Sequence, residues 1–449
     1  MKRKLLSILL AGAMVSSLIV GCSSSGGSGE GSSENEGGGS EGKPYDGVEI
    51  NVLCEGHASS NAYEKMVSEF EEETGITVNL EIIPYEELPQ KVLLSFSQKS
   101  QDYDMVMNDA LSLQGYVDND YIACLDDYIA NDDLNQWYDK ADFVEAYENM
   151  METGGKVYGF PVYGESTFLM YRKDLFDEYG LKAPTTMEEL EQCAKTVYEK
   201  TNGEVAGITL RGQQGIHVVY TWGAFLWGYG GHYFDKDGKL DLNTDAAIEG
   251  TEAFCRLLND YGPEGYTNFG WQENRLLFQQ GGAAMTIDAT VNGAYCEDPN
   301  ESEIVGKVGY APVPAAVENE EGGPAALATH GFYINNVIED KQKEAAFLFG
   351  SWATNAQTQE KMMDVEPHCG VSSLKAIESD AFQDKYAAFG NDMVKALEVA
   401  NPLYVPTNTE ANEIINKVGT ALSKCLVESD NIAAILKEVN DDVNNNVLK

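Results

Sequence analysis

Positive charge is what this chain has least of. Thirty Lys and Arg residues face 73 Asp and Glu, leaving a formal charge of −43. Nucleic acids are held by Lys and Arg clusters set against phosphate, and none occurs here. Nucleic acid is therefore excluded as a partner, and a polyanionic substrate is disfavoured on the same ground. So large a surplus of carboxylates keeps a surface soluble. Long apolar runs are missing beyond the first 20 residues, so no later segment reads as a membrane span, which needs about 20 apolar residues in a row. The cysteines offer no framework either. After Cys22 there are seven, an odd number with no C-x-x-C, so neither a disulfide scaffold nor a thiolate metal site is indicated; they read as buried small hydrophobes. The five histidines are scattered, H-E-x-x-H is absent, the body carries no G-x-S-x-G, and no G-x-G-x-x-G follows its first strand. These gaps disfavour zinc-hydrolase, serine-hydrolase and dinucleotide sites, and no cofactor or metal is expected.

What the chain does have begins with a leader. Met1-Lys2-Arg3-Lys4 is basic, and Leu5 to Val20 is apolar but short for a spanning helix, the pattern of a signal peptide. It ends in Ile19-Val20-Gly21-Cys22, which resembles the bacterial lipobox. Small residues let a peptidase close on the scissile bond, and the Cys22 thiol is the nucleophile that takes a diacylglyceryl group. Residues 1–22 are expected to be a lipoprotein signal peptide, with the protein extracytoplasmic and lipid-anchored to the outer face of the cytoplasmic membrane. Ser23 to Gly42 contains only Ser, Gly, Glu and Asn and has nothing apolar to bury, so residues 23–44 read as a disordered tether. A flexible coil of that length spans about 25 Å r.m.s..

The body, long enough for two or three domains, opens as alternating strands and helices. Val48 to Cys54 and Ile76 to Ile82 alternate as strands, and Asp104 to Asn108 is a short third one. Between them, Ser60 to Thr74 carries an apolar stripe of Tyr63, Met66, Val67 and Phe70 and stops at Gly75. Tyr85 to Ser100 reads as a second helix. This β-α-β-α-β order predicts a parallel, doubly wound sheet with ligands beyond its strand ends. Farther on, Lys156 to Glu165 and Thr167 to Arg172 read as extended. Thr186-Met-Glu-Glu189 is a capping box opening a helix to about Lys200. Val205 to Leu210 reads as a buried strand, His217 to Tyr229 as an aromatic helix, and Asp235 to Gly238 as a hairpin turn.

In order along the chain stand Gly75-Ile-Thr-Val78, Tyr158-Gly-Phe-Pro-Val-Tyr-Gly-Glu165, Tyr171-Arg-Lys-Asp-Leu-Phe176 and Pro184-Thr-Thr-Met-Glu-Glu-Leu190. Phe278-Gln-Gln-Gly-Gly-Ala-Ala-Met285, Gly309-Tyr-Ala-Pro-Val-Pro314 and Gly331-Phe-Tyr-Ile-Asn335 follow. With this series the body resembles the family 1 extracellular solute-binding proteins of ABC sugar importers. The series departs from the family where Arg172 replaces a common Asn and His330 a common aromatic.

The resemblance implies an α/β fold of two doubly wound lobes joined by a multi-crossing hinge, the type II periplasmic-binding-protein architecture. Lobe I is expected as 45–163 plus 315–355, and lobe II as 164–314 plus 356–449. It further implies a monomer that performs no chemistry: it captures a carbohydrate or polyol between the lobes and hands it to the transmembrane permease subunits of an ABC importer. A sugar site needs carboxylates to accept from hydroxyl pairs, Arg and His to donate, and aromatic rings to stack on C–H faces. The candidates are Glu55, Asn108, Asp109, Tyr163, Glu165, Arg211, Trp222, Asp288, Thr329, His330, His368 and Tyr404. Trp222 is the expected stacking platform. The alternatives are a surface glycoside hydrolase, which would need two carboxylates across one cleft, or a binder of a non-sugar solute.

Overall fold

The computed structural model describes residues 43–317 and 323–448. The signal peptide, Cys22 and the tether as far as Gly42 lie outside the described residues. Lys43, assigned to the tether on sequence, already enters the body's first turn, where its carbonyl accepts from the Asp46 N–H at 3.0 Å.

The first strands and helices follow the sequence pattern closely. They are β1 (Glu49–Glu55), α1 (Ala58–Thr74), β2 (Thr77–Ile83), α2 (Leu88–Ser97) and β3 (Met105–Asp109). β1 lies parallel to both β2 and β3. The His57 side chain caps α1 by accepting from the Ser59 N–H, and Gly75, at φ 81°, ends the helix by donating to the Glu71 carbonyl. α2 starts later than its periodicity predicts. Pro89 has no N–H to donate and fits only the first helical turn, so residues 84–87 form a separate turn that leaves Tyr85 and Glu86 free of the helix.

The remaining strands of the same sheet are β4 (Phe160–Arg172), β5 (Met285–Ala289), β6 (Val308–Ala311) and β7 (Leu327–Ile334). The sheet order is β2-β1-β3-β7-β4-β5, with β6 also on β4. The sheet is mixed rather than wholly parallel, because β7 runs antiparallel to β3 and β4. β4 changes partners along its length. Its first half pairs with β7 as far as Ser166, and its second half, from Thr167, is flanked by β5 and β6. An irregularity between Pro161 and Tyr163 interrupts its register.

Helices α3 (Met187–Lys200), α4 (Ile216–Gly228), α5 (Asp245–Tyr261), α6 (Trp271–Gln279), α7 (Asp340–Thr354), α8 (Ala356–Val365) and α9 (Ala411–Val427) complete the parts that matter here. The capping box on α3 is present, with Thr186 and Glu189 each accepting from the other's backbone N–H. Residues 205–210, expected as a strand, touch the sheet only through isolated bridges at Ala206 and Thr209. Ala206 bonds to Gly282 and Ala284, but the next donor to that side is Thr209, three residues on, to the Met285 carbonyl, so the two-residue alternation of a ladder is not kept.

One apolar core gathers β1, α1 and α7 around Phe70, Phe349 and Trp352. A second gathers α4, α5 and α9 around Trp222, Phe225, Phe254 and Leu422. α8 departs from the division expected on sequence. It packs against α1, tied by Lys361–Glu69 at 2.6 Å and Lys65–Glu366 at 2.8 Å. Cys54, Cys193, Cys255, Cys296, Cys369 and Cys425 are free and buried, and Cys124 is free and half-buried. Among the described residues, no helix is long and apolar enough to cross a membrane.

Candidate functional site

Parallel strands leave side chains and loops at their carboxyl ends free to meet a ligand. The ends of β1 and β3 here meet the middle of β4, the start of β7 and the first turns of α4 and α6 around an open cleft of about 950 Å³. Glu55, Gly56 and His57 come from the end of β1, Asp109 from the end of β3, and Tyr163 and Glu165 from β4. Thr329 and His330 come from β7, Arg211 from the segment before α4, and Tyr404 from the C-terminal part.

His330 organises one side. In the sheet it stands opposite Asp109 on β3 and Tyr163 on β4, so cross-strand geometry brings the three together. Its Nδ1 lies 2.9 Å from Glu55 Oε2 and its Nε2 lies 3.2 Å from Asp109 Oδ1. The first contact is close but poorly aligned for a hydrogen bond, and is an ion pair. Tyr163 stacks on the rings of both His57 and His330, at 4.2 and 4.5 Å, and donates its hydroxyl to Glu55. Tyr85 donates to Asp109 Oδ2 at 2.6 Å.

These contacts decide the protonation states. Burial works against charge on His330, but Glu55 and Asp109 outweigh it and raise the imidazole to about 10. Burial likewise pushes Glu55 up, and the His330 charge, with His57 and the Tyr163 hydroxyl, brings it down to about 2. His57 behaves oppositely. Burial lowers it to about 4 despite Glu55, and its Nδ1 is already accepting from the cap of α1. Asp109 is raised by burial against the pull of His330 and Tyr85. Glu165, half-buried, is raised to about 7 by burial, which exceeds the opposing charges of Arg211 and His330.

Across the cleft, Arg211 extends over the Tyr220 ring at 4.5 Å. It is held from behind by Asp288 through Nε contacts of 3.0 and 3.1 Å. Several buried polar atoms of the lining have no hydrogen-bond partner among the described residues: Glu55 Oε2, His217 Nδ1, Tyr220 Oη and Thr329 Oγ1.

Of the residues singled out on sequence, Glu55, Asp109, Tyr163, Glu165, Arg211, Thr329, His330 and Tyr404 line this cleft. Four do not. Asn108 donates to the Tyr116 hydroxyl away from it. Asp288 is fully buried and reaches the cleft only through Arg211. His368 lies against Asp298. Trp222 is a correction with a geometric cause. On a helix turning about 100° per residue, His217 and Tyr220 share a face, and Trp222 falls roughly 200° from Tyr220. It therefore points into the core, fully buried, edge-on to Tyr233 and donating to Thr251 Oγ1 at 2.9 Å.

The lining also includes His57, which stands at the strand end where a ligand was expected, and Tyr85, Glu86, His217, Tyr220 and Trp271, which sequence reasoning did not select. Trp271 is the partly exposed aromatic that Trp222 was expected to be. Its indole N–H is fixed by Asn292 Oδ1 at 2.8 Å, and Arg275 covers its ring at 4.9 Å. A Gly-Trp pair opening a helix was the signal available for it.

Residues 56–360 match the family model of the bacterial extracellular solute-binding proteins, and the chain belongs to that family. A binding protein of Brucella abortus (strain 2308) is 30% identical over 292 residues, 64% of this chain and 66% of its own. The mannitol-binding protein of Pseudomonas aeruginosa is 25% identical over 268 residues, 58% of this chain and 60% of its own. The chain thus spans just under two thirds of the length of these curated relatives. An ABC transporter solute-binding protein from Agrobacterium radiobacter K84, crystallised with ribitol, is 28% identical with a TM-score of 0.82, over 89% of this chain and 99% of that one. The architecture is that of type II periplasmic solute-binding proteins. The family is one of solute-binding proteins, the Pseudomonas relative is a mannitol-binding protein and the Agrobacterium neighbour a solute-binding protein of an ABC transporter; none of these is an enzyme.

Proposed function

We propose that the chain binds a polyol or a short neutral carbohydrate in this cleft and delivers it to the permease of an ABC importer. One observation carries the reading. His217 Nδ1, Tyr220 Oη and Thr329 Oγ1 are buried at the cleft without a hydrogen-bond partner among the described residues, beside the partly exposed ring of Trp271. A polyhydroxyl chain supplies both donors and acceptors to such atoms and presents C–H faces to an indole. The charged groups fit a neutral solute, because His330 is compensated by Glu55 and Asp109, and Arg211 by Asp288. The mannitol and ribitol bound by relatives agree in class.

In this reading the mobile parts are the lobes 45–163 plus 315–355 and 164–314 plus 356–449, except that α8 is assigned to the first because it packs on α1. They close on the solute by hinge motion. The test is a thermal-shift and calorimetric screen of mannitol, ribitol, maltose, amino acids and peptides. A polyol or sugar at 100 times its Kd should stabilise the chain by about 2.7 kcal/mol and be recovered intact. Stabilisation by an amino acid or peptide alone would overturn the assignment.

The anchor belongs to the same reading. Ile19-Val20-Gly21-Cys22 motivates lipidation of Cys22 and retention at the outer face of the membrane. The variant Cys22→Ala should lose acyl labelling and appear in the medium; labelling that persists in it rules the anchor out.

A further inference from the structure

His368 has no place in the cleft, yet it is built with care. It is 6% exposed, and its ring lies flat on Tyr295 at 4.0 Å with 14° between planes. Arg275 covers the same Tyr295 ring at 3.6 Å. The His368 Nε2 is aimed at Asp298, 3.1 Å from Oδ2, but the alignment is not that of a hydrogen bond, and this buried nitrogen has no hydrogen-bond partner among the described residues. Glu301, on the same loop as Asp298, completes a group whose ligand atoms all lie within 4.8 Å of one another.

We propose that Asp298, Glu301 and His368 form a binding site for one divalent transition-metal cation, of the Zn²⁺ or Mn²⁺ class. Two ligand atoms about 2.0–2.2 Å from one ion, at angles of about 90–110°, stand roughly 3.0–3.5 Å apart. The Nε2–Oδ2 separation of 3.1 Å falls in that range. One imidazole with two carboxylates is a mixed N/O set. It suits Zn²⁺ or Mn²⁺ better than Mg²⁺ or Ca²⁺, which take oxygen ligands. Nδ1, the nitrogen facing away, lies 3.9 Å from Glu366 Oε1, a nearby countercharge beyond hydrogen-bond reach. Lys65 holds the other Glu366 oxygen at 2.8 Å. Among the described residues, the cation paired with the cluster is Arg275, whose Nη1 is 3.8 Å from Glu301 Oε2, too far for a hydrogen bond.

The placement gives the ion a structural consequence. Asp298 and Glu301 belong to the loop between β5 and β6, whereas His368 follows α8, which packs on α1. A shared ion therefore ties two segments far apart in sequence. The inference stands whatever the solute.

The experiment uses the untagged chain, stripped with a chelator and titrated calorimetrically with ZnCl₂ and MnCl₂, with the melting temperature followed in parallel. The expected result is one ion per chain and a rise in melting temperature. His368→Ala and Asp298→Asn should each weaken uptake by tenfold or more. His232→Ala, a partly exposed histidine paired with Asp241 elsewhere, should leave uptake unchanged. If His368→Ala does not fold, the double variant Asp298→Asn/Glu301→Gln, confined to a surface loop, carries the test. Absence of stoichiometric uptake of either ion, or uptake that survives this double variant, would reduce the cluster to a His–Asp ion pair and overturn the proposal.

Discussion

Replacing Arg211 by Met should destabilise the folded chain by about 3–5 kcal/mol, the cost of leaving one member of a buried ion pair behind. Asp288 is fully buried and Arg211 nearly so. The guanidinium meets the carboxylate through both Nε and Nη2. Without it, Asp288 keeps, among the described residues, the Asn274 amide and the Ala289 N–H as donors, neither of which carries a countercharge. The double variant Arg211→Met/Asp288→Leu removes both charges and should recover much of the loss, since a buried pair replaced by apolar groups is often close to neutral. Urea unfolding of the single and double variants measures both. A single-variant loss below about 1 kcal/mol would mean that water reaches the pair and screens it. Arg211 also lines the cleft, so the double variant should fold and still bind solute more weakly.

That pair shows what the sequence carries and what it hides. Arg211 and Asp288 were both selected as candidates, Asp288 through the resemblance alone. Their mutual position could not be read, since one faces the cleft and the other stands behind it. The same holds for the sheet. The alternation in β1 and β2 and the glycine stop after α1 are local signals, and both elements form where they predict. That β7 inserts antiparallel between β3 and β4 depends on pairing across more than a hundred residues, and an alternating pattern names a strand without naming its neighbour. His330 becomes the hub of the site through that insertion. It was selected as a candidate, but its contacts with Glu55 and Asp109 were not legible.

α4 forms where expected, within one residue at each end, but its cleft-facing residue was misassigned for a different reason. Its sequence, Ile-His-Val-Val-Tyr-Thr-Trp-Gly-Ala-Phe-Leu-Trp-Gly, is apolar nearly all round, and almost every residue is buried. Such a helix has no wet face to fix its rotation. The choice of Trp222 as the cleft-facing residue, made from its ring and its place one turn after the Gly212–Gly215 loop, had no rotation to check it, and the helix presents His217 and Tyr220 instead. α2 shows the converse. There Pro89, a single local signal, accounts for the late start, and reading it would have released Tyr85 and Glu86 to the rim of the cleft.

Trp222→Ala should consequently behave as a core truncation. The indole is fully buried, packs edge-on to Tyr233 and donates to Thr251 Oγ1. Thr251 in turn donates to the Ala247 carbonyl within α5, so the indole links α4 to α5. Removing it leaves a cavity at that contact and an unmatched acceptor. The expected loss of stability without solute is about 3–5 kcal/mol, with the affinity of the remaining folded protein unchanged. Trp271→Ala should give the opposite pattern. Its ring is partly exposed and lines the cleft, so the folded state loses little, while solute binding weakens by about 1.5–3 kcal/mol, the scale of burying a large apolar side chain. Urea unfolding and calorimetric titration with a polyol, on both variants, separate the two roles. Loss of affinity in Trp222→Ala at near-native stability would return Trp222 to the site, and unaltered affinity in Trp271→Ala would leave the cleft without its stacking ring.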